Sequence, residues 1–282
     1  MASTVTTLTR VKPSGTAARI HNLWRHRGTL RLLVQRDLTI KYQQSVLGYF
    51  WSLLEPLAMA GVYWFVFGVL YGTRVGPDNG SYPLFLVSGL FAWLWVNSTI
   101  GEATKALTSQ AQIIKTIRLP REVYPIGRVL ARFAEYLAGL PVIALFVALY
   151  NGHVGWSLLS LPLALLLQAS FLLGFALLVA PLNVMMRDIE RISRLLQRIL
   201  FYAAPVIYPL SLVDGSNLPG WVKTLYHVNP LVGVFQLHHA AWYPSEFPSP
   251  TLLVTSALGC FALLILGWWS FRRLEPAVLK EL

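Results

Sequence analysis

The chain has 282 residues, 55% of them hydrophobic and only 12% charged. About a quarter of a soluble globular domain is charged, so this composition excludes a soluble fold. The net charge of +11 does not indicate nucleic acid, because 21 of the 23 Lys and Arg fall in four clusters (10–41, 105–132, 187–198 and 272–280) that flank long apolar runs. Basic residues so placed meet anionic lipid headgroups and set membrane topology.

The first 18 residues are Ser/Thr-rich and lack an apolar core; the pattern predicts a disordered cytoplasmic tail, not a signal peptide. Residues 19–48 read as an amphipathic helix on the cytoplasmic membrane surface. Ile20, Leu23, Trp24, Leu30, Leu33, Val34 and Leu38 recur at helical spacing, with Arg25, Arg31 and Lys41 off that stripe. The alternative is a loosely solvated basic arm.

A bilayer crossing takes roughly 20 helical residues. Tyr49–Gly72, Tyr82–Gly101, Trp156–Leu182 and Thr251–Phe271 meet that length, and Phe133–Tyr150 meets it if Leu130 and Ala131 extend it. Ile199–Val213 is short for a span unless its helix starts back near Leu195. The turn-forming DGSNLPG and two short mixed segments, Trp221–His227 and Pro230–Trp242, follow it. A seventh crossing there would put Arg272, Arg273 and Lys280 outside, against the charge rule. The expected fold is therefore an all-α integral membrane domain over 49–271. It has six spans, a re-entrant region at 211–242 and both termini cytoplasmic, the last residues being 272–282.

Arg187, Arg191, Arg194 and Arg198 make one basic helical stripe, read as a snorkelling rim. Glu55, Glu102 and Glu135 lie near predicted cytoplasmic ends, where a charge costs little. Cys260 sits in an apolar run and reads as a packing residue.

No GxxxxGK[ST] loop occurs, so the chain has no phosphate cradle of its own. His238–His239 has no partner at metal-ligand spacing, and no catalytic set is suggested. The expectation is no metal, no cofactor and no catalytic residue. Aromatics are abundant. Tyr63, Phe67 and Tyr71 share one helical face beside Trp64, and Phe85, Phe91 and Trp93 lie in the next span. Helix packing explains such residues, and so does a pathway whose aromatic faces stack on sugar rings.

The stretch RDLTIKYQQSVLGYFWSLLEPL (36–57) resembles the start of the permease subunit of bacterial polysaccharide ABC exporters. PVIYPLSLV (205–213), VNPLVG (228–233) and FRRLEP (271–276) resemble later signatures of that family, in the same order. The resemblance implies a homodimer working with two separate ATP-binding subunits, which would hold ATP and Mg. It implies a polyprenyl-diphosphate-linked glycan as cargo, of the O-antigen or galactan type, in the bacterial inner membrane. By position, Lys115, Arg118, Pro120, Arg121 and Glu122 would couple to the ATPase. Phe201–Tyr208 and Trp221–Phe235 would form an outer gate, with Pro205, Tyr208, Pro209, Trp221, Asn229, Pro230 and Gly233 as its residues. Arg36 and Lys41 are candidates for the lipid diphosphate, with snorkelling to bulk lipid as the alternative. Two other readings are an ABC exporter of drugs or ions and a membrane enzyme acting on polyprenyl phosphates. Few charged residues occur in the outer loops, which disfavours the enzyme.

Overall fold

The computed structural model describes residues 21, 23–43, 45–70, 81–116 and 119–281. Among them every regular element is helical. The tail at 1–18, Ile20, Tyr71 and Arg118 lie outside the described residues.

Helix α1 (Arg27–Tyr42) packs along the first half of α5 (Val123–Leu149). Leu23, Leu30, Leu33, Val34 and Leu38 are at least partly covered, as the stripe predicts. Trp24 departs from it: the ring is exposed, with the Arg27 guanidinium 5.3 Å from its centre. The chain then turns at Gly48, whose φ of 49° is a left-handed conformation that favours glycine. Helix α2 (Phe50–Tyr63) follows and continues as a π-helical segment, Trp64–Leu70.

Among the described residues, five helical stretches are long and apolar enough to cross a membrane: Phe50–Leu70, Tyr82–Thr104, Val123–Leu149, Trp156–Met185 and Pro250–Glu281. We label the second α3 (Tyr82–Thr104), and α4 (Ala111–Thr116) lies between it and α5. The fourth contains α6 (Ser160–Met185) and the fifth is α11 (Pro250–Glu281). Helix α3 is the buried centre, contacting α2, α5 and α6. Helices α6 and α11 pack closely because Gly174 and Gly267 face each other; a Cβ on Gly267 would overlap the Gly174 carbonyl. Small residues at such a crossing let backbones approach where no water drives association.

Several boundaries differ from the sequence reading: the surface helix ends at Tyr42, and α11 runs past Phe271 to Glu281. Helix α5 begins about ten residues before Phe133, at Val123. The charges that hid this stretch, Arg128 and Arg132, are ion-paired inside the protein. The run Ile199–Val213 is not one helix. Helix α7 (Asp188–Tyr202) ends before Pro205, residues 203–209 are irregular, and α8 (Leu210–Asp214) resumes after Pro209. Proline lacks the N–H a continuing helix needs.

Helix α9 (Gly220–Val228) meets α10 (Pro230–Ala240) at Asn229. Asn229 caps α10 by accepting from Leu231 N at 3.1 Å, and Pro230 takes the first helical position. Helix α10 is buried among α3, α6 and α11. The last turns of α11 pack Phe271 and Val278 into a small cluster with Leu107, Ile114 and Tyr124.

Candidate functional site

A cleft of about 400 Å³ opens between α2, α3 and α7. Helix α2 contributes Glu55, Pro56, Met59 and Tyr63; α3 contributes Leu90, Trp93, Leu94 and Asn97. Helix α7 adds Arg194, Gln197, Arg198, Phe201 and Tyr202. Helices α2 and α7 ascend from the basic loops while α3 descends toward them, so the lining is graded. Glu55, Asn97 and Arg194 lie at the end nearest the basic loops, and Tyr63, Trp93, Phe201 and Tyr202 lie at the other. Gln197 locks the two walls together by donating to the Asn97 carbonyl at 2.5 Å. The aromatic end is a connected group: Phe201 lies 5.9 Å from Tyr63 and 5.3 Å edge-on from Trp93, centre to centre.

Of the seven aromatics expected to line a pathway, Tyr63 and Trp93 reach this cleft. Phe67 stacks on Tyr63 at 6.2 Å. Trp64 is about half exposed and does not line the cleft. Phe85 is fully buried against the His239 ring, 3.7 Å away, and Phe91 fills the notch beside Gly139. Those two rings are core packing. Phe201 and Tyr202, assigned from sequence to the outer gate and not to the pathway, line the cleft. Sequence reading also took Glu55 and the arginine stripe as interfacial, whereas Glu55, Arg194 and Arg198 line the cleft.

The expected gate residues mostly meet at the irregular stretch 203–209. Among the described residues its Ala204 and Pro209 carbonyls accept from backbone, from Val206 N and Leu212 N; the others need side-chain donors, because unpaired backbone in apolar surroundings is costly. Three side chains from other elements donate to alternate carbonyls. Asn229 Nδ2 reaches Ala203 O at 2.7 Å, His239 Nε2 reaches Pro205 O at 3.0 Å, and Tyr82 Oη reaches Ile207 O at 3.0 Å. Tyr208 donates to Tyr202 O at 2.5 Å and accepts from Tyr226 at 3.2 Å. Gly233 sits tightly against Ser256, and Trp221 is exposed. The neighbouring His238 donates from Nε2 to Gln168 Oε1 at 2.6 Å.

The diphosphate candidates are already partnered. Arg36 lies 3.5 Å from Asp37, and Lys41 lies 3.0 Å from Glu135. Lys41 belongs to a buried chain of charges. Asp37 pairs with Arg128 at 3.1 Å; Glu102 lies 3.7 Å from Arg128 and 3.3 Å from Arg132. Glu135 takes Arg132, Lys41 and a 2.7 Å hydrogen bond from Tyr42. Glu135 is thus not the cheap interfacial charge expected from sequence; its side chain is 3% exposed.

In the expected coupling segment, Lys115 closes α4 and Pro120 lies in the turn before α5. Arg121 is bound to Glu275 of α11 at 3.0 Å, and Glu122 is buried at the start of α5. The segment is therefore tied to the end of the chain.

Comparison with known proteins bears on what this arrangement serves. The chain is 28% identical over 245 residues to the O-antigen export system permease protein RfbA of Myxococcus xanthus, covering 87% of this chain and 92% of that protein. It is 32% identical over 206 residues to the RfbA protein of Klebsiella pneumoniae, covering 73% and 76%. The polysialic acid transport protein KpsM of Escherichia coli is 24% identical over 262 residues, covering 90% and 96%. Residues 29–240 match the family described as ABC-2 type transporter. This multi-pass, all-helical membrane protein belongs to the ABC-2 type transporter family.

Proposed function

We propose that this chain is the membrane-spanning subunit of an exporter that moves a polyprenyl-diphosphate-linked polysaccharide, of the O-antigen or galactan type, across the bacterial cytoplasmic membrane. The observation that carries the reading is the graded cleft: charged at the end near the basic loops, aromatic beyond. A neutral glycan offers hydroxyls and flat apolar ring faces, so a conduit for it needs weak, repeated contacts rather than one tight site. The similarity to O-antigen and polysialic acid export proteins supports a polysaccharide cargo.

In this reading two copies assemble with two ATP-binding subunits, which bind ATP and Mg. Helix α7 and the irregular stretch form a sixth crossing, α8 to α10 dip into the outer leaflet, and both termini are cytoplasmic. The three carbonyl-capping side chains then allow non-helical backbone at membrane depth. Depleting the protein is expected to leave a lipid-linked polysaccharide on the cytoplasmic face, seen by extracting lipid-linked glycans from spheroplasts. Unchanged surface glycan, with no accumulation, would count against the reading.

A further inference from the structure

Arg194 and Arg198 stand one turn apart on α7, both lining the cleft. Among the described residues Arg198 has no ion pair or side-chain hydrogen bond, and neither has Glu55 on the facing wall. Arg194 shares Glu190 with Lys105, which holds that carboxylate at 2.9 Å. Arg194 can therefore turn away without leaving Glu190 unpaired. Arg191, the next member of the stripe, points elsewhere and is 81% exposed.

The depth of Arg198 follows from its neighbour. Gln197 bonds the backbone of Asn97, which lies seven residues before the end of α3 at Thr104. Seven residues of helix span about 10 Å, roughly a third of a 30 Å hydrocarbon core. A guanidinium at that depth without a carboxylate partner is expensive, and such residues mark the route of a substrate. Farther along the cleft lie the rings of Tyr63 and Phe201, with no further charge. The lining thus suits a ligand that is anionic at one end and has apolar ring faces at the other.

We propose that Arg194 and Arg198 form the binding site for the diphosphate that joins the sugar chain to its lipid. This assignment rests on the export reading above. A diphosphate diester carries two negative charges, and two guanidiniums supply matching charge with forked donors. The phosphodiester of a glycerophospholipid headgroup carries one negative charge, and such a lipid brings no sugar chain to stack on Tyr63 and Phe201. Glu55 lies at the same end of the cleft and repels an anion, so binding there needs the forked donors of both guanidiniums. Arg36 and Lys41 do not line this cleft, and each has a carboxylate beside it, Asp37 and Glu135.

The test uses the full chain in phosphatidylcholine nanodiscs and farnesyl diphosphate as the probe, with binding read by calorimetry. Arg198→Gln, and more so Arg194→Gln/Arg198→Gln, should weaken binding at least about tenfold, the scale of a lost charged hydrogen bond. Arg198→Lys keeps the charge but not the fork and should lose less affinity than Arg198→Gln, and Arg191→Gln should not differ from wild type. The retained affinity of these two variants separates loss of a charge from loss of the fold. Unchanged affinity in the double variant overturns the assignment. So does equal competition when phosphatidylglycerol replaces part of the phosphatidylcholine, which would make this an ordinary headgroup site. Glycan export is measured in parallel with the ATP-binding subunits present. No export by the wild type sinks the export reading itself, whereas full export by the double variant sinks only the diphosphate site.

Discussion

Arg132→Met is expected to cost about 3–5 kcal/mol of stability, the penalty for removing one partner of a buried ion pair. The Arg132 side chain is 1% exposed and bridges Glu102 of α3 to Glu135 of α5. Without it, Glu135 keeps Lys41 and Tyr42, and Glu102 keeps, among the described residues, Arg128 at 3.7 Å. Removing Glu135 as well should recover part of the loss. Lys41 is then the group left over, but its side chain is 36% exposed and can reach water. Thermal unfolding followed by tryptophan fluorescence should show a lower midpoint for Arg132→Met and a partial return in Arg132→Met/Glu135→Met. An unchanged midpoint in the single variant would show that the pair does not hold α1, α3 and α5 together.

The second large effect is expected at the aromatic end of the cleft. Tyr63→Ala and Phe201→Ala should each slow glycan export about two- to tenfold, since an aromatic face contributes ~0.5–1.5 kcal/mol beyond its area. Tyr63→Phe keeps the face and should export nearly as wild type. Trp64→Ala is the control from the adjacent position, because Trp64 does not line the cleft. Export rates normalised to folded protein decide the matter. Equal rates for Tyr63→Ala and Trp64→Ala would make the cleft a packing gap.

The long apolar spans were legible in the sequence because each is a run of sufficient length between basic clusters. What hid α5's true start was its own chemistry. Arg128 and Arg132 look like the end of a cytoplasmic loop, and only partners far away in sequence, Asp37 and Glu102, make them part of a helix inside the protein. The order VNPLVG singled out Asn229, yet its task could not be read there: it caps α10 and also donates to the Ala203 carbonyl. Periodicity placed Tyr63 and Phe67 on one face but could not say which neighbour that face meets. The cleft is completed by Phe201 and Arg198, and a hydropathy run gives no sign that α7 turns these toward α2.

The account as a whole rests on the cleft serving ATP-driven passage of a lipid-linked glycan. The most direct measurement reconstitutes the chain with its ATP-binding subunits in sealed vesicles, supplies lipid-linked glycan and nucleotide on one side, and follows glycan on the other with an impermeant glycosidase. The account predicts transfer that requires ATP, fails without the ATP-binding subunits, and slows with Tyr63→Ala and Arg198→Gln. Transfer that proceeds at the same rate without nucleotide, or no transfer in the complete system, would contradict it.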